Sequence, residues 1–216
     1  MKEINNTSKI HGIKLVPVII NDCSSDQTAS IINHLPCIAI HLPVNLGIGG
    51  AVQTGLRYAI KNAFDAAVQV DGDGQHPADA IPELAKEMQH RNLDVVIGSR
   101  YLEKKGFQSS WLRRTGIRYF VWINHLLTGK KILDSTSGFR LMNRKTMELI
   151  TEIYPDEYPE PEALILYHKL ALKVGEYPVT MRERQGGVSS INSFSSVYYM
   201  LKVSLAILFT RIRSIH

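Results

Sequence analysis

Cysteine is nearly absent from this 216-residue sequence, with Cys23 and Cys37 the only two. The chain opens on the polar stretch MKEINNTSKIHGIK, which has no apolar signal core, so secretion is not expected and both thiols are expected to stay reduced in the cytoplasm. Long hydrophobic runs are missing too. The most apolar segment, YYMLKVSLAILF, is interrupted by Lys202 and closed by Arg211. It falls short of the roughly 20 apolar residues that a membrane-spanning helix needs, and fits an interfacial or packed helix better. No repeat or low-complexity tract occurs. Zinc-finger spacing and an RRM signature are both lacking, so nucleic acid is not expected as a partner.

What is present is an ordinary globular composition, 44% hydrophobic and 21% charged, in a length that suits one α/β core. The net charge of +5 is unevenly spread. Residues 1–99 carry 7 Lys/Arg against 10 Asp/Glu, and residues 146–216 carry 7 against 8. Residues 100–145 carry 11 against 2. A basic block of this kind suits phosphates, diphosphates or an acidic membrane face, although a solvated surface would look the same.

Short β-branched runs at 15–20, 38–42, 66–70 and 94–97 read as buried strands. Helical stretches lie between them: one after Ser24, where Ser24 and Gln27 have capping-box spacing, one over 50–63 and one over 77–91. Later segments read as a helix over 109–127, strands over 139–142 and 177–182, a helix over 161–173 and a helical tail over 195–213. The alternation predicts an α/β fold with a mainly parallel twisted sheet and helices on both faces, residues 1–194 forming the main domain and 195–216 an amphipathic helix. Ligands of such sheets bind at the carboxyl ends of strands.

At one such end stands Asp71-Gly72-Asp73-Gly74-Gln75-His76. Two carboxylates one residue apart can converge on Mg²⁺ or Mn²⁺, which bridges diphosphate oxygens, and Gln75 offers a further oxygen. An EF-hand loop starting at Asp71 would need glycine and glutamate where His76 and Pro82 stand, which excludes it. A dinucleotide fingerprint from Gly47 and Gly49 has Val52 at its third glycine position and survives only as the basis for a nicotinamide-dependent oxidoreductase reading. At the end of the first run, Asp22 suits a base N–H, though Asp22 and Ser24 are equally ordinary helix caps.

In order along the chain, NDCSSD at 21–26, NLGIGGAVQTGLRYA at 45–59, DGDGQH at 71–76, GSR at 98–100, DSTSGFR at 134–140 and MRERQGGVSSI at 181–191 resemble the family 2 glycosyltransferases. The likeness is to the dolichyl- and polyprenyl-phosphate sugar transferase branch, and it covers nearly the whole chain. It implies a GT-A-like fold and a metal-dependent, inverting transfer from a nucleotide-diphospho-sugar donor. The implied acceptor is a polyprenyl phosphate or lipid-linked glycan, at the cytoplasmic face of a membrane. In that pattern Asp22 contacts the base, Gly49 and Gly50 let a helix start near the nucleotide, and Asp71, Asp73 and Gln75 hold metal and diphosphate. Arg100, Arg140, Arg182 and Arg184 bind phosphates, for which a guanidinium fork is suited. Asp134 is the implied catalytic base, with Glu160 and Glu162 as alternatives that serve equally as helix-start charges. Cys23 stands where relatives usually carry glycine.

Relatives also open with an apolar strand ending in a Pro-Ala-Tyr-Asn-Glu-like segment, which this sequence lacks. The expectation is therefore a sheet without its usual first strand, less stable and less active than an extended form, with a truncated, non-catalytic protein as the alternative function.

Overall fold

The computed structural model describes residues 2–11, 13–103, 111–156, 159–183 and 195–213. Its centre is strand β4 (Val95–Ser99), because Val95, Val96 and Ile97 are β-branched and 0% exposed. Successive side chains of a strand point to opposite faces. Val95 and Ile97 accordingly join Met142, Met147 and Leu164 in one core, whereas Val96 joins Leu84, Met88 and Leu141 in another. Helix α3 (Gly47–Lys61), α6 (Arg144–Ile150) and α7 (Pro159–Lys169) supply the first core, and α4 (Ile81–His90) the second. Helices cover both faces of the sheet, as expected.

The larger sheet has the order β3-β5-β4-β6, built from β3 (Ala66–Gln69), β4, β5 (Arg140–Asn143) and β6 (Val174–Pro178). Strands β3, β4 and β6 point the same way, and β5 alone runs antiparallel between β3 and β4. The sheet is therefore mixed, with one strand reversed. A second, two-stranded parallel sheet joins β1 (Val18–Asn21) to β2 (Ile38–His41), and α3 packs against both β1 and β3.

Several boundaries differ from the sequence reading for identifiable reasons. The first interior helix, α2, starts only at Thr28 and runs to Asn33, because Asp26 Oδ1 takes the Thr28 N–H while the Ser24 N–H goes to Asn21 Oδ1. Helix α7 stops at Lys169, followed by Ala171 in the left-handed region at φ +53°. Strand β6 lies nearer the N-terminus than expected, since Val174 pairs with Val95; the chain beyond it stays tied by Val179 N–H to Ser99 O. An unexpected helix, α1 (Lys2–His11), docks on α4, with Ile4 packed against the second core.

Helix α5 (Trp111–Thr128), α7 and α8 (Ser195–Ile212) form an outer layer around Phe120, Ile123, Ile165, Val203 and Ile207. The tail helix carries two apolar stripes. Val203 and Ile207 are buried, yet Leu201, Leu205, Leu208, Phe209 and Ile212 are exposed along another stripe. Trp122 and Leu126 of α5 are exposed as well, and Tyr119 Oη bonds Ser204 Oγ at 2.9 Å between the two helices.

Candidate active site

The acidic loop after β3 is shaped by a histidine. The Asp71 N–H donates to His76 Nδ1 at 2.9 Å, so Nδ1 is the acceptor and the ring proton sits on Nε2, 3.7 Å from Asp71 Oδ2. The ring is buried and stacks on Phe139 at 5.1 Å between centroids. Burial lowers the His76 pKa, opposed by the charges of Asp71 and Asp73, which keeps the ring neutral near pH 7. His76 is thus a pin for the loop. Gly98 permits this stack, for a Cβ there would meet Phe139 Cδ1 at 2.5 Å.

Asp71 remains 40% exposed at its side chain, and Gly74, at φ +77°, makes the tight turn behind it. Asp73 Oδ1 accepts the Gln75 N–H at 3.0 Å. The Gln75 amide donates to Arg182 O at 3.3 Å, which engages this expected ligand with the segment after β6. Gly138 lies over the loop: a Cβ there would stand 3.5 and 3.6 Å from the two Asp71 carboxylate oxygens. The described residues contain no group of three His, Cys, Asp or Glu able to hold a metal. Two adjacent carboxylates still fit Mg²⁺ or Mn²⁺, since such ions are commonly held by one or two carboxylates with substrate phosphates and water completing the shell.

Asp134, the implied catalytic base, is fully buried and paired with Arg100. Its oxygens accept Arg100 Nη2 at 2.7 Å, Nε at 2.8 Å and the backbone N–H at 3.0 Å. At 0% exposure, with both oxygens on one guanidinium, this carboxylate is held as the partner of Arg100. Burial disfavours the Arg100 charge, but the hydrogen bonds and charge of Asp134 raise its pKa above the ordinary value. Arg100, 11% exposed at its side chain, is a fixed cation at the end of β4.

Arg140 also departs from expectation. It is 0% exposed, and its guanidinium donates to Ser137 O at 2.8 Å, Ser135 O at 3.2 Å and Glu160 O at 2.7 Å. It staples the 135–138 loop to the start of α7. Of the two alternative bases, Glu162 accepts a hydrogen bond from Thr210 and serves α8. Glu160 lies within electrostatic reach of Asp71 and Arg100; burial raises its pKa, against the opposing charge of Arg140.

On the β1 side, Asp22 Oδ1 accepts the Leu46 N–H at 2.7 Å and sets the entry to α3. Gly49 serves a close approach within the protein, since a Cβ would meet Pro155 O at 2.1 Å and Asp156 O at 2.4 Å; at Gly50 it would meet Leu46 Cβ at 2.4 Å. Cys23 holds φ +55°, the conformation glycine adopts without penalty. Cys23→Gly is expected to stabilise the fold by about 1 kcal/mol in denaturant unfolding; an unchanged or lower midpoint would show no strain at this turn. Arg182 pairs with Glu3 of α1 at 2.5 Å, and Arg184 lies outside the described residues.

The fold thus gathers Asp71, Asp73, Arg100 and Asp134 around His76. Asp22 stands at the entry to α3, whose first turn holds Gly49 and Gly50. The parts the sequence reading passed over are Phe139, the stacking partner of His76, and Glu176, which accepts the Leu133 and Asp134 N–H groups at 2.8 and 2.9 Å. Phe139 was visible as an aromatic inside a recognised motif; nothing marked Glu176.

Residues 17–150 match the family profile described as Glycosyl transferase family 2. A UDP-N-acetylglucosamine–dolichyl-phosphate N-acetylglucosaminyltransferase of Methanococcus voltae is 28% identical, over 95% of this chain and 91% of that one. An undecaprenyl-phosphate mannosyltransferase of Micrococcus luteus is 26% identical, over 81% of this chain and 75% of its own. Among solved structures, glucosyl-3-phosphoglycerate synthase from Mycobacterium tuberculosis in complex with Mn²⁺, UDP and glucosyl-3-phosphoglycerate superposes with a TM-score of 0.66 at 18% identity, covering 98% of this chain and 76% of that one. The fold is GT-A-like.

Proposed function

Since the chain belongs to glycosyl transferase family 2 and is a glycosyltransferase, we propose that it moves a sugar from a nucleotide-diphosphate donor onto a polyprenyl phosphate, with inversion and with Mg²⁺ or Mn²⁺. The observation that carries this reading is the pinned Asp71–Asp73 loop standing beside the Arg100–Asp134 pair. Both lie where β3 and β4 deliver their carboxyl ends. A divalent ion held by Asp71 and Asp73 would neutralise charge on the departing nucleoside diphosphate. Arg100, oriented by Asp134, binds phosphate oxygen and fixes the approach of the nucleophile. Asp22 and the α3 start face the nucleoside. The transfer is a single displacement: a phosphate oxygen of the acceptor bonds to the anomeric carbon as the bond from that carbon to the diphosphate oxygen breaks.

The commitment of Asp134 to Arg100 favours a phosphate acceptor, because an anionic oxygen attacks without a base. A lipid-linked glycan hydroxyl would need one, and Glu160 is the remaining candidate for it.

The acceptor lipid brings the protein to a membrane. No helix among the described residues is long and apolar enough to cross one. The outward stripe of α8, apolar from Leu201 to Ile212 and bordered by exposed Arg211 and Arg213, suits insertion at an anionic surface, which we assign to the cytoplasmic face. The test is sugar transfer to polyprenyl phosphate in anionic vesicles. Turnover with a nucleotide sugar and Mn²⁺ is expected, and Leu205→Ser with Phe209→Ser should lower vesicle binding about 10-fold or more. A folded protein that transfers nothing from any donor would support the non-catalytic reading; undiminished vesicle binding by the double variant would move the membrane face elsewhere.

A further inference from the structure

Between α5 and β5, residues 129–139 form neither helix nor strand, so no ladder sets where Asp134 stands. Glu176 sets it. On β6, this residue pairs in register with Ile97, near the end of the strand that delivers Arg100. Glu176 Oε2 accepts the Leu133 N–H at 2.8 Å and Oε1 the Asp134 N–H at 2.9 Å. A carboxylate that takes two consecutive peptide N–H groups fixes both the position and the direction of that backbone. From this anchored peptide the Asp134 side chain reaches Arg100 at three donors: Nε, Nη2 and the main-chain N–H.

Resting on the reading of Arg100 as a phosphate contact, we propose that Glu176 is a positioning residue for sugar transfer, acting through Asp134 on the Arg100 guanidinium. The relay runs from a sheet strand through one loop peptide to one cation. A fork-to-fork ion pair transmits displacement directly, because the plane of the guanidinium follows the plane of the carboxylate. An error of about 1 Å in a positioning group can cost roughly 100-fold in rate. Glu176→Gln is nearly isosteric, yet it turns one acceptor into a donor facing a peptide N–H, so the Leu133–Asp134 backbone must shift.

A double-variant cycle tests the relay. Arg100→Lys is the second change, chosen because an ammonium keeps the buried Asp134 charge paired and the chain folded. Glu176→Gln alone is expected to lower kcat/KM about 10- to 100-fold, in the same parameter, kcat or KM, that Arg100→Lys alters. In the Arg100→Lys background the same change should cost less than about 3-fold, because the fork it aims is already gone. Equal losses in both backgrounds would overturn the proposal and leave Glu176 a structural residue. The cycle is read in parallel as denaturant midpoints, which need no turnover. If the wild-type chain transfers no sugar, the functional reading fails on its own; midpoint shifts that add would then reject the relay as well, and shifts that fail to add would uphold the physical coupling of Glu176 to Arg100.

Discussion

Asp71→Asn is expected to lower kcat/KM for sugar transfer on the order of 10³-fold, about 4 kcal/mol of transition-state stabilisation, with the unfolding midpoint unchanged. The substitution keeps size and shape and removes the charge that holds a cation to the departing diphosphate. Stability is expected to survive because the side chain is 40% exposed and its loop is held by the backbone bond to His76, which asparagine preserves. Asp73→Asn should behave similarly in activity, with one difference: Asp73 Oδ1 also caps the Gln75 N–H, so some loop order is lost with it. Steady-state kinetics over a Mn²⁺ series, with midpoints measured on the same preparations, would check both. A loss that follows a lowered midpoint would make Asp71 structural, and unaltered kinetics would remove it from the site.

Arg140→Ala is expected to destabilise the chain by about 3–5 kcal/mol, the range found when one partner is taken from a buried charged network. Three backbone carbonyls, those of Ser135, Ser137 and Glu160, would lose their donor at once. The charge opposing the burial-raised pKa of Glu160 would go with it. Burial works against the Arg140 charge too, but Tyr167, Tyr154 and Glu160 around it hold its pKa above the ordinary value, so the guanidinium stays charged. Arg140→Lys keeps the charge without the planar fork and should recover less than half of the loss. Urea unfolding gives the figure directly. A variant with a wild-type midpoint and a raised KM for the nucleotide sugar would instead return Arg140 to the phosphate contacts.

The contrast between Arg100 and Arg140 shows what the sequence could carry. Both end recognised motifs, and both suit phosphate by residue type. Only packing separates them: Arg100 stands at a strand end against Asp134, whereas Arg140 opens a strand and points into the protein, under α7. The acidic loop was legible because glycines and carboxylates after a β-branched run have few other uses. The layered fold was legible from the same alternation of strands and helices. The pairing of Asp134 could not be read from sequence, since it depends on a partner 34 positions away and on zero exposure. Gly49 and Gly50 were legible as a close approach, but not to what; the neighbour is the Pro155–Asp156 backbone at Gly49 and the Leu46 side chain at Gly50. Helix α1 was missed because its core contact is made by few apolar residues, Ile4 among them, in an otherwise polar segment.

The central claim is that Asp71 and Asp73 form a working donor site, and ligand-induced stabilisation tests it most directly. The chain is melted with UDP-, GDP-, dTDP- and CDP-sugars, each with and without Mn²⁺, and with NAD(P) as a control. Nucleotide sugar at about 100 times its dissociation constant should add roughly 2.7 kcal/mol. The predicted result is a shift with one base class, present only with Mn²⁺ and absent in Asp71→Asn. A folded chain that shows no shift with any nucleotide sugar, or an equal shift without metal, would contradict it.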